Sequence, residues 1–196
     1  MLLVTEPLFT DRLLLRPFTS EDIDDVWAYQ RQPVVARYMR WEPRDRRQSQ
    51  ESVDQMSGEV RLAGEGDCLS LAVVSPDHGK VIGQVELVWL DKEDRQGEIG
   101  YVFNPDYQGK GLATEAATVA LRLGFEDLGL HRIIGRCHAG NSASARLMER
   151  LGMRREAHFI DTGIFKGAWR EEYVYAMLRR EWRARHGGEV GPAGRS

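Results

Sequence analysis

The sequence predicts an α/β (α+β) domain, and three stretches carry that expectation. Strand candidates Leu69–Ser75 and Lys80–Leu90 flank Pro76-Asp77-His78-Gly79, a strong turn signal. The strand candidate Glu98–Phe103 runs through the turn-rich segment Asn104–Gly111 into a long helical stretch, Leu112 to Leu128. The strand candidate His131–His138 leads to a helix over Asn141–Leu151, with Asn141 placed as its cap and Gly152 as its stop.

The remaining elements follow in order. Asp11–Phe18 reads as β-like and ends at Thr19-Ser20-Glu21-Asp22. Thr19 or Ser20 suits a helix cap, and the acidic residues suit the positive end of the helix dipole. Ile23, Val26 and Trp27 then recur at helical spacing, and Pro33 suits the start of a second short helix carrying Val34, Val35 and Tyr38. The charged segment Arg40–Gln50 is expected to be loop, and Ser52–Leu62 a weakly patterned helix. In the 112–128 helix, Ala117, Ala120, Leu121, Gly124, Phe125 and Leu128 keep to one side. Two last strands are expected near Arg154–Ile160 and Trp169–Leu178. A single domain is expected over residues 1–180, followed by a basic, glycine-rich tail over 181–196.

The chain has 196 residues, 42% of them hydrophobic and 29% charged, which excludes a wholly disordered or collagen-like protein. That length lets a fold bury roughly 70% of its unfolded surface without staples. No apolar run approaches the roughly 20 residues of a membrane span, and the apolar start Met1–Val4 is too short for a secretory segment. The net charge of −3 lacks the basic excess of a nucleic-acid binder. The expectation is a cytoplasmic protein with neither nucleic-acid nor membrane partner. Cys68 and Cys137 have no C-x-x-C spacing and read as packed, reduced thiols. The five histidines show no metal-ligand spacing, so no metal is expected.

The most informative stretch is Tyr101-Val102-Phe103-Asn104-Pro105-Asp106-Tyr107-Gln108-Gly109-Lys110-Gly111-Leu112-Ala113-Thr114-Glu115. A strand enters a glycine turn and a helix starts at once. The first N–H groups of a helix have no partner inside it and point outward with the positive end of the dipole, an arrangement that suits phosphate. A Walker loop requires Ser or Thr where Gly111 stands, and a dinucleotide fingerprint requires glycine where Thr114 stands, so neither applies. Gln108-x-x-Gly111-x-Ala113 instead matches the Q/R-x-x-G-x-G/A signature of the GCN5-related N-acetyltransferase (GNAT) superfamily, where such a loop holds the pyrophosphate of coenzyme A.

Three further stretches strengthen the resemblance. Asn141 to Met153 resembles the family's N-x-x-A/S-x-x-L-x-x-x-x-G-F motif at the expected distance. Arg12-Leu13-Leu14-Leu15-Arg16-Pro17 and Gly167 to Leu178 look like the two ends of the RimJ/RimL-like branch. The resemblance covers residues 8–178. It implies a mixed, twisted sheet of about six or seven strands with helices on both faces. The strands at Glu98–Phe103 and His131–His138 should splay and free main-chain groups for the pantetheine arm. It implies that Tyr101, Val102 and Phe103 hold that arm through their main chain, and that Gln108, Gly109, Lys110, Gly111, Leu112, Ala113 and Thr114 hold the pyrophosphate. Asn141 matches a pantetheine contact and is equally good as a plain helix cap. Arg146 could reach a phosphate or lie exposed.

The implied chemistry is acetyl transfer from acetyl-CoA, as co-substrate, to a primary amine by direct attack. The amine must lose a proton and the thiolate must gain one. Glu98, in Glu98-Ile99-Gly100-Tyr101, and Glu86 are the candidate bases, each also readable as an ordinary strand glutamate. Much of the family has a tyrosine proton donor where this chain has Met148, which cannot serve. Ser144, one helical turn earlier, is the candidate donor. His138 reads as a proton relay or as a strand-end histidine. Trp27, Tyr38, Trp41 and Trp89 read as pocket wall or core. The acceptor stays open among protein N-termini, amino acids or peptides, and small-molecule amines, with a homodimer among the possible assemblies. The competing expectations are a non-catalytic acyl-CoA-binding module and an enzyme using another donor such as succinyl-CoA.

Overall fold

The structure, a computed structural model, describes residues 1–186. In chain order it contains β1 (Leu2–Leu3), β2 (Leu8–Phe9), β3 (Leu14–Arg16), α1 (Ile23–Gln30), α2 (Pro33–Ala36) and α3 (Arg46–Gly58). There follow β4 (Arg61–Leu62), β5 (Cys68–Ser75), β6 (Lys80–Asp91), β7 (Gln96–Phe103) and α4 (Leu112–Arg122). The chain continues through β8 (Arg132–His138), α5 (Ser142–Leu151), β9 (Arg154–Phe159), β10 (Ile164–Phe165), β11 (Ala168–Trp169), β12 (Glu172–Leu178) and α6 (Arg179–His186).

The main sheet has eight strands in the order β2-β3-β5-β6-β7-β8-β12-β9. Its neighbours are antiparallel except β7 and β8, which run parallel. That pair is joined only over Gln96–Glu98 against Arg132–Ile134. Beyond it the strands splay as expected, and the β8-facing main chain of Tyr101–Phe103 is left without a strand partner. The other edge of β7 stays paired to β6 throughout, with Val85 opposite Tyr101 and Gly83 opposite Phe103.

Period-2 alternation along the strands builds a core on each face. Ile99 and Phe103 of β7 join the core under α4 and α5, while Val102 joins the one under α1 and α3. Tyr29 of α1 is fully buried in the second core, its hydroxyl donating to Gln84 Oε1 at 3.0 Å.

Four local expectations need correction. Helix α3 begins at Arg46, inside the segment expected to be loop. Asp45 caps it by accepting from Gln48 N at 2.8 Å, while Gln48 Oε1 accepts from Asp45 N at 3.0 Å. That capping box holds the entry despite a highly charged first turn. The same helix stops at Gly58, and Arg61–Leu62 pairs with Leu2–Leu3 instead of extending it. The long helix after the glycine turn ends as a π-helical turn over Leu123–Asp127. There Gly124 lies so close to Ile133 that a Cβ would sit 2.6 Å from its Cδ1. The main sheet has eight strands, beyond the six or seven expected, because the short strand β2 adds an edge.

The packed unit also continues past residue 180. Trp182 of α6 is buried, stacks on Phe125 with centroids 5.8 Å apart, and donates from Nε1 to Glu126 at 2.7 Å. The glycine-rich part of the expected tail, residues 187–196, lies outside the described residues.

Candidate active site

The splay opens a cleft of about 710 Å³ between β7, the glycine turn, α5 and the α2 region. All the residues singled out for the coenzyme line it except Lys110. Lys110 Nζ lies 5.9 Å from the ring centroid of Tyr107, which does line the cleft. The turn is shaped by its own side chains. Asn104 Oδ1 accepts from Asp106 N at 3.2 Å, and Gln108 Nε2 reaches back to Phe103 O at 3.2 Å. Gly109 and Gly111 have φ of +78° and +79°, a region that L-residues with side chains rarely adopt. Gly111 is the N-cap of α4. A Cβ on Gly109 would meet nothing within 4 Å, so the space above the turn is open to a ligand.

A strap absent from the sequence reading braces this turn. Arg12 donates from Nη1 to Lys110 O at 2.9 Å and from Nε to Glu115 Oε2 at 2.8 Å. Thr10 Oγ1 donates to the other Glu115 oxygen at 2.6 Å. Burial raises the Glu115 pKa, but the hydrogen bonds from Thr10 and Arg12 outweigh it and hold the carboxyl below its ordinary value. Residues at the chain's start thus fix the geometry of a turn a hundred positions later.

Helix α5 faces the turn across the cleft. Asn141 caps it, accepting from Ser144 N at 3.2 Å, and lines the cleft as well. Arg146 and Arg150, one turn apart, both line it, and Arg150 Nε lies 3.4 Å from Thr114 Oγ1. Arg150 escaped the sequence reading, although its i, i+4 relation to Arg146 is a readable signal. Ser144 Oγ is 2.8 Å from the hydroxyl of Tyr101, which also reaches Ser144 O at 3.2 Å. Burial raises the Tyr101 pKa, so the phenol keeps its proton at neutral pH. Sequence reasoning had used only the main chain of Tyr101. Met148 is buried against Gly135, whose Cβ would sit 2.7 Å from the methionine sulfur. That position is core here and leaves the cleft to Ser144.

The two candidate glutamates share the sheet face under α1 and α3 but differ in setting. Glu98 has Arg136 Nε at 3.7 Å and lines neither the cleft nor the cavity beside it. Burial raises its pKa and Arg136 pulls it down. Glu86 lies opposite Gly100 in register, and a Cβ on Gly100 would sit 3.0 Å from Glu86 Oε2. Glu86 accepts from Gln84 Nε2 at 2.6 Å, and burial raises its pKa. It lines a second cavity of about 300 Å³. Trp41 lines that cavity too, Tyr38 lines the cleft, Trp27 packs at the edge of the second core and Trp89 is buried. His138 Nδ1 accepts from Gly140 N at 2.9 Å and its ring packs on Tyr38, a satisfied strand-end histidine. Both cysteines are free, and burial pushes the Cys137 thiol up to about 11.

A splayed parallel pair, a glycine turn opening a helix and a cleft joining them are the features expected of an acetyltransferase. Comparison with known proteins agrees. The acetyltransferase (GNAT) domain family matches residues 12–154, and the chain belongs to that family. The chain is 36% identical over 174 residues to the N-acetyltransferase YnaD of Bacillus subtilis, covering 88% of this chain and 97% of that one. The [ribosomal protein uS5]-alanine N-acetyltransferase of Escherichia coli is 29% identical over 187 residues, covering 89% and 92%. The crystal structure of a GNAT-family acetyltransferase from Bacillus anthracis superposes with a TM-score of 0.79 at 31% identity, covering 90% of this chain and all of that one. Among the described residues, no helix is long and apolar enough to cross a membrane.

Proposed function

We propose that this enzyme transfers the acetyl group of acetyl-CoA to a primary amine by direct attack, in the cytoplasm. The observation that carries the proposal is the continuity of the cleft. Its walls join the unpaired main chain of Tyr101–Phe103 to the outward N–H groups of the glycine turn and of the first turn of α4. An extended acyl thioester with a charged far end fits that sequence of surfaces. The turn amides from Gly109 to Thr114 would hold the pyrophosphate, and Arg146 and Arg150 add positive charge beside it.

The chemistry follows from the same walls. The amine nitrogen bonds to the carbonyl carbon, and a main-chain N–H of the free β7 edge meets the oxyanion. The C–S bond then breaks and the sulfur leaves with the electron pair. Ser144 supplies the sulfur's proton and is reprotonated from the Tyr101 hydroxyl, 2.8 Å from Ser144 Oγ, which in turn regains a proton from solvent. Of the two candidate bases, Glu86 takes the ammonium proton, because it lines the cavity beside the cleft while Glu98 faces Arg136. The Ser144–Tyr101 pair favours catalysis over a non-catalytic acyl-CoA-binding role. The test combines calorimetry with acetyl-CoA and succinyl-CoA with a thiol-release assay against amines, peptides and amino acids. The expectation is tight acetyl-CoA binding and amine-dependent thiol release. Failure to bind acetyl-CoA would overturn the proposal.

A further inference from the structure

The second cavity adjoins the coenzyme cleft. Met39 lines both, and the floors of the two are neighbouring residues of paired strands. Val102 lies in the cleft, and Gln84, its register partner on β6, lies in the cavity. Paired strands are about 4.8 Å apart. An amine held at Glu86, over Gly100, therefore lies one strand step from Tyr101, where the thioester would be held.

The charges of this cavity have an uncommon arrangement. Glu86 has no cationic partner within ion-pair distance among the described residues, its one side-chain hydrogen bond coming from the neutral amide of Gln84. Glu59, also in the wall, is occupied by Ser70 and by Gln55 Nε2. Arg44 lines the same cavity with no carboxylate within ion-pair distance among the described residues. Its side chain has only Gln30 Oε1, at 3.2 Å, and the Trp41 ring, 4.8 Å from its guanidinium carbon. A half-buried guanidinium is costly without an anion, and so is a buried carboxylate without a cation. One cavity thus presents a carboxylate and a guanidinium that feel each other's charge but form no ion pair, which leaves both free to meet a ligand. Met39, Met56 and Trp41 add an apolar wall.

Resting on the acetyl-transfer function proposed for the cleft, we infer that the acceptor is a compact zwitterion, an amino-acid-like molecule whose ammonium meets Glu86 and whose carboxylate meets Arg44. A polyamine would bring a second cation against Arg44. A protein N-terminus would place a neutral peptide group, not a carboxylate, beside it. In the reaction, the ammonium proton passes to Glu86 and then to solvent, the freed nitrogen forms the amide bond, and the carboxylate stays on Arg44 throughout.

The experiment measures thiol release from acetyl-CoA with leucine, methionine and phenylalanine, with their amides, with the matched amines lacking the carboxylate, and with spermidine. Each variant is first checked for acetyl-CoA binding and for its melting temperature. The wild type should favour the amino acids over amides and amines by tenfold or more in kcat/KM, the scale of one charge-assisted hydrogen bond. Arg44→Gln should cut that selectivity ratio by roughly tenfold, chiefly through KM for the amino acid, and Arg44→Lys should restore part of it. Equal or better turnover of the amides, amines or spermidine would overturn the inference, as would acetyl-CoA binding without turnover of any amino acid. An unchanged ratio in folded Arg44→Gln would do the same. Absence of acetyl-CoA binding in the wild type would instead remove the acetyl-transfer function on which the inference rests.

Discussion

The cleft and the neighbouring cavity lie on adjacent strands, β7 and β6, yet they are built from different material. The cleft owes its opening to main-chain geometry, and side chains such as Tyr38, Arg146 and Arg150 complete its walls. Its shape comes from the short pairing of β7 with β8 and from two glycines in a left-handed conformation. The cavity is made of side chains that come from six separate segments, α1, the α2–α3 connection, α3, the residue after it, β5 and β6. A main-chain site tolerates many side-chain changes but few backbone ones. A side-chain site can be rebuilt for a new acceptor one residue at a time.

The comparison breaks first at the turn. Gly111→Val should lower acetyl-CoA affinity by roughly 100-fold or more. A β-branched residue is strained at φ +79°, and its Cβ would already lie 3.6 Å from Arg12 Nη2, in the strap that braces the turn. Calorimetry on the folded variant measures this, and an unchanged affinity would remove the turn from the site. Arg44→Gln, on the cavity side, should leave that calorimetric affinity intact.

A smaller effect separates two hydroxyls. Ser144→Ala should lower kcat by roughly 10²-fold with little change in KM for acetyl-CoA, because a proton donor acts mainly in the transition state. Tyr101→Phe should lose less, about tenfold, since it removes the group that reprotonates the serine hydroxyl and not the hydroxyl itself. In the double variant the two losses should fail to add. Full additivity would mean that the two hydroxyls act independently.

Glu86→Gln should split activity from stability. Burial raises the folded-state pKa of Glu86, so the unfolded chain ionises first as pH rises past about 4.5. Stability contributed by the protonated form is complete below that value and falls as pH climbs toward the folded pKa. The amide variant should therefore melt higher than the wild type at pH 7 and alike at pH 4, while turnover drops. A lower melting temperature at neutral pH would show that the ionised carboxylate is already well compensated.

The smallest effect concerns the strap. Glu115 has a folded-state pKa below its ordinary value, so its stabilisation is present above about pH 4.5 and is lost as pH falls through the folded value. Glu115→Gln should cost about 1 kcal/mol at pH 7 and little in acid. Denaturant melts at the two pH values test this, and equal losses at both would contradict the sign.

How far each region was legible follows from how local its causes are. The glycine turn and the capped helix α5 were readable because their determinants lie within a few residues of one another. Gly111 starts α4, and Asn141 and Gly152 bound α5, as expected from the chain alone. The start of α3 was misread although its determinants are just as local. A charged stretch concealed the capping pair Asp45 and Gln48. Trp182 falls within the expected basic tail because nothing in its neighbourhood of arginines announces a stacking partner, Phe125, nearly sixty positions away.

By itself, then, the sequence determined the central strands, the helices α4 and α5, the order in which they come, and the glycine turn that opens α4. Dihedral preferences, capping and hydrophobic period act over three or four residues and need no fold to be read. Only the tertiary structure decided that Tyr101 stands behind Ser144, that Arg12 braces Lys110 and Glu115, and that Arg44 and Glu86 share one cavity while Glu98 turns to Arg136. Each of those contacts joins residues more than thirty positions apart. Strand register and the packing of α3 on the sheet brought them together, and neither leaves a local mark on the chain.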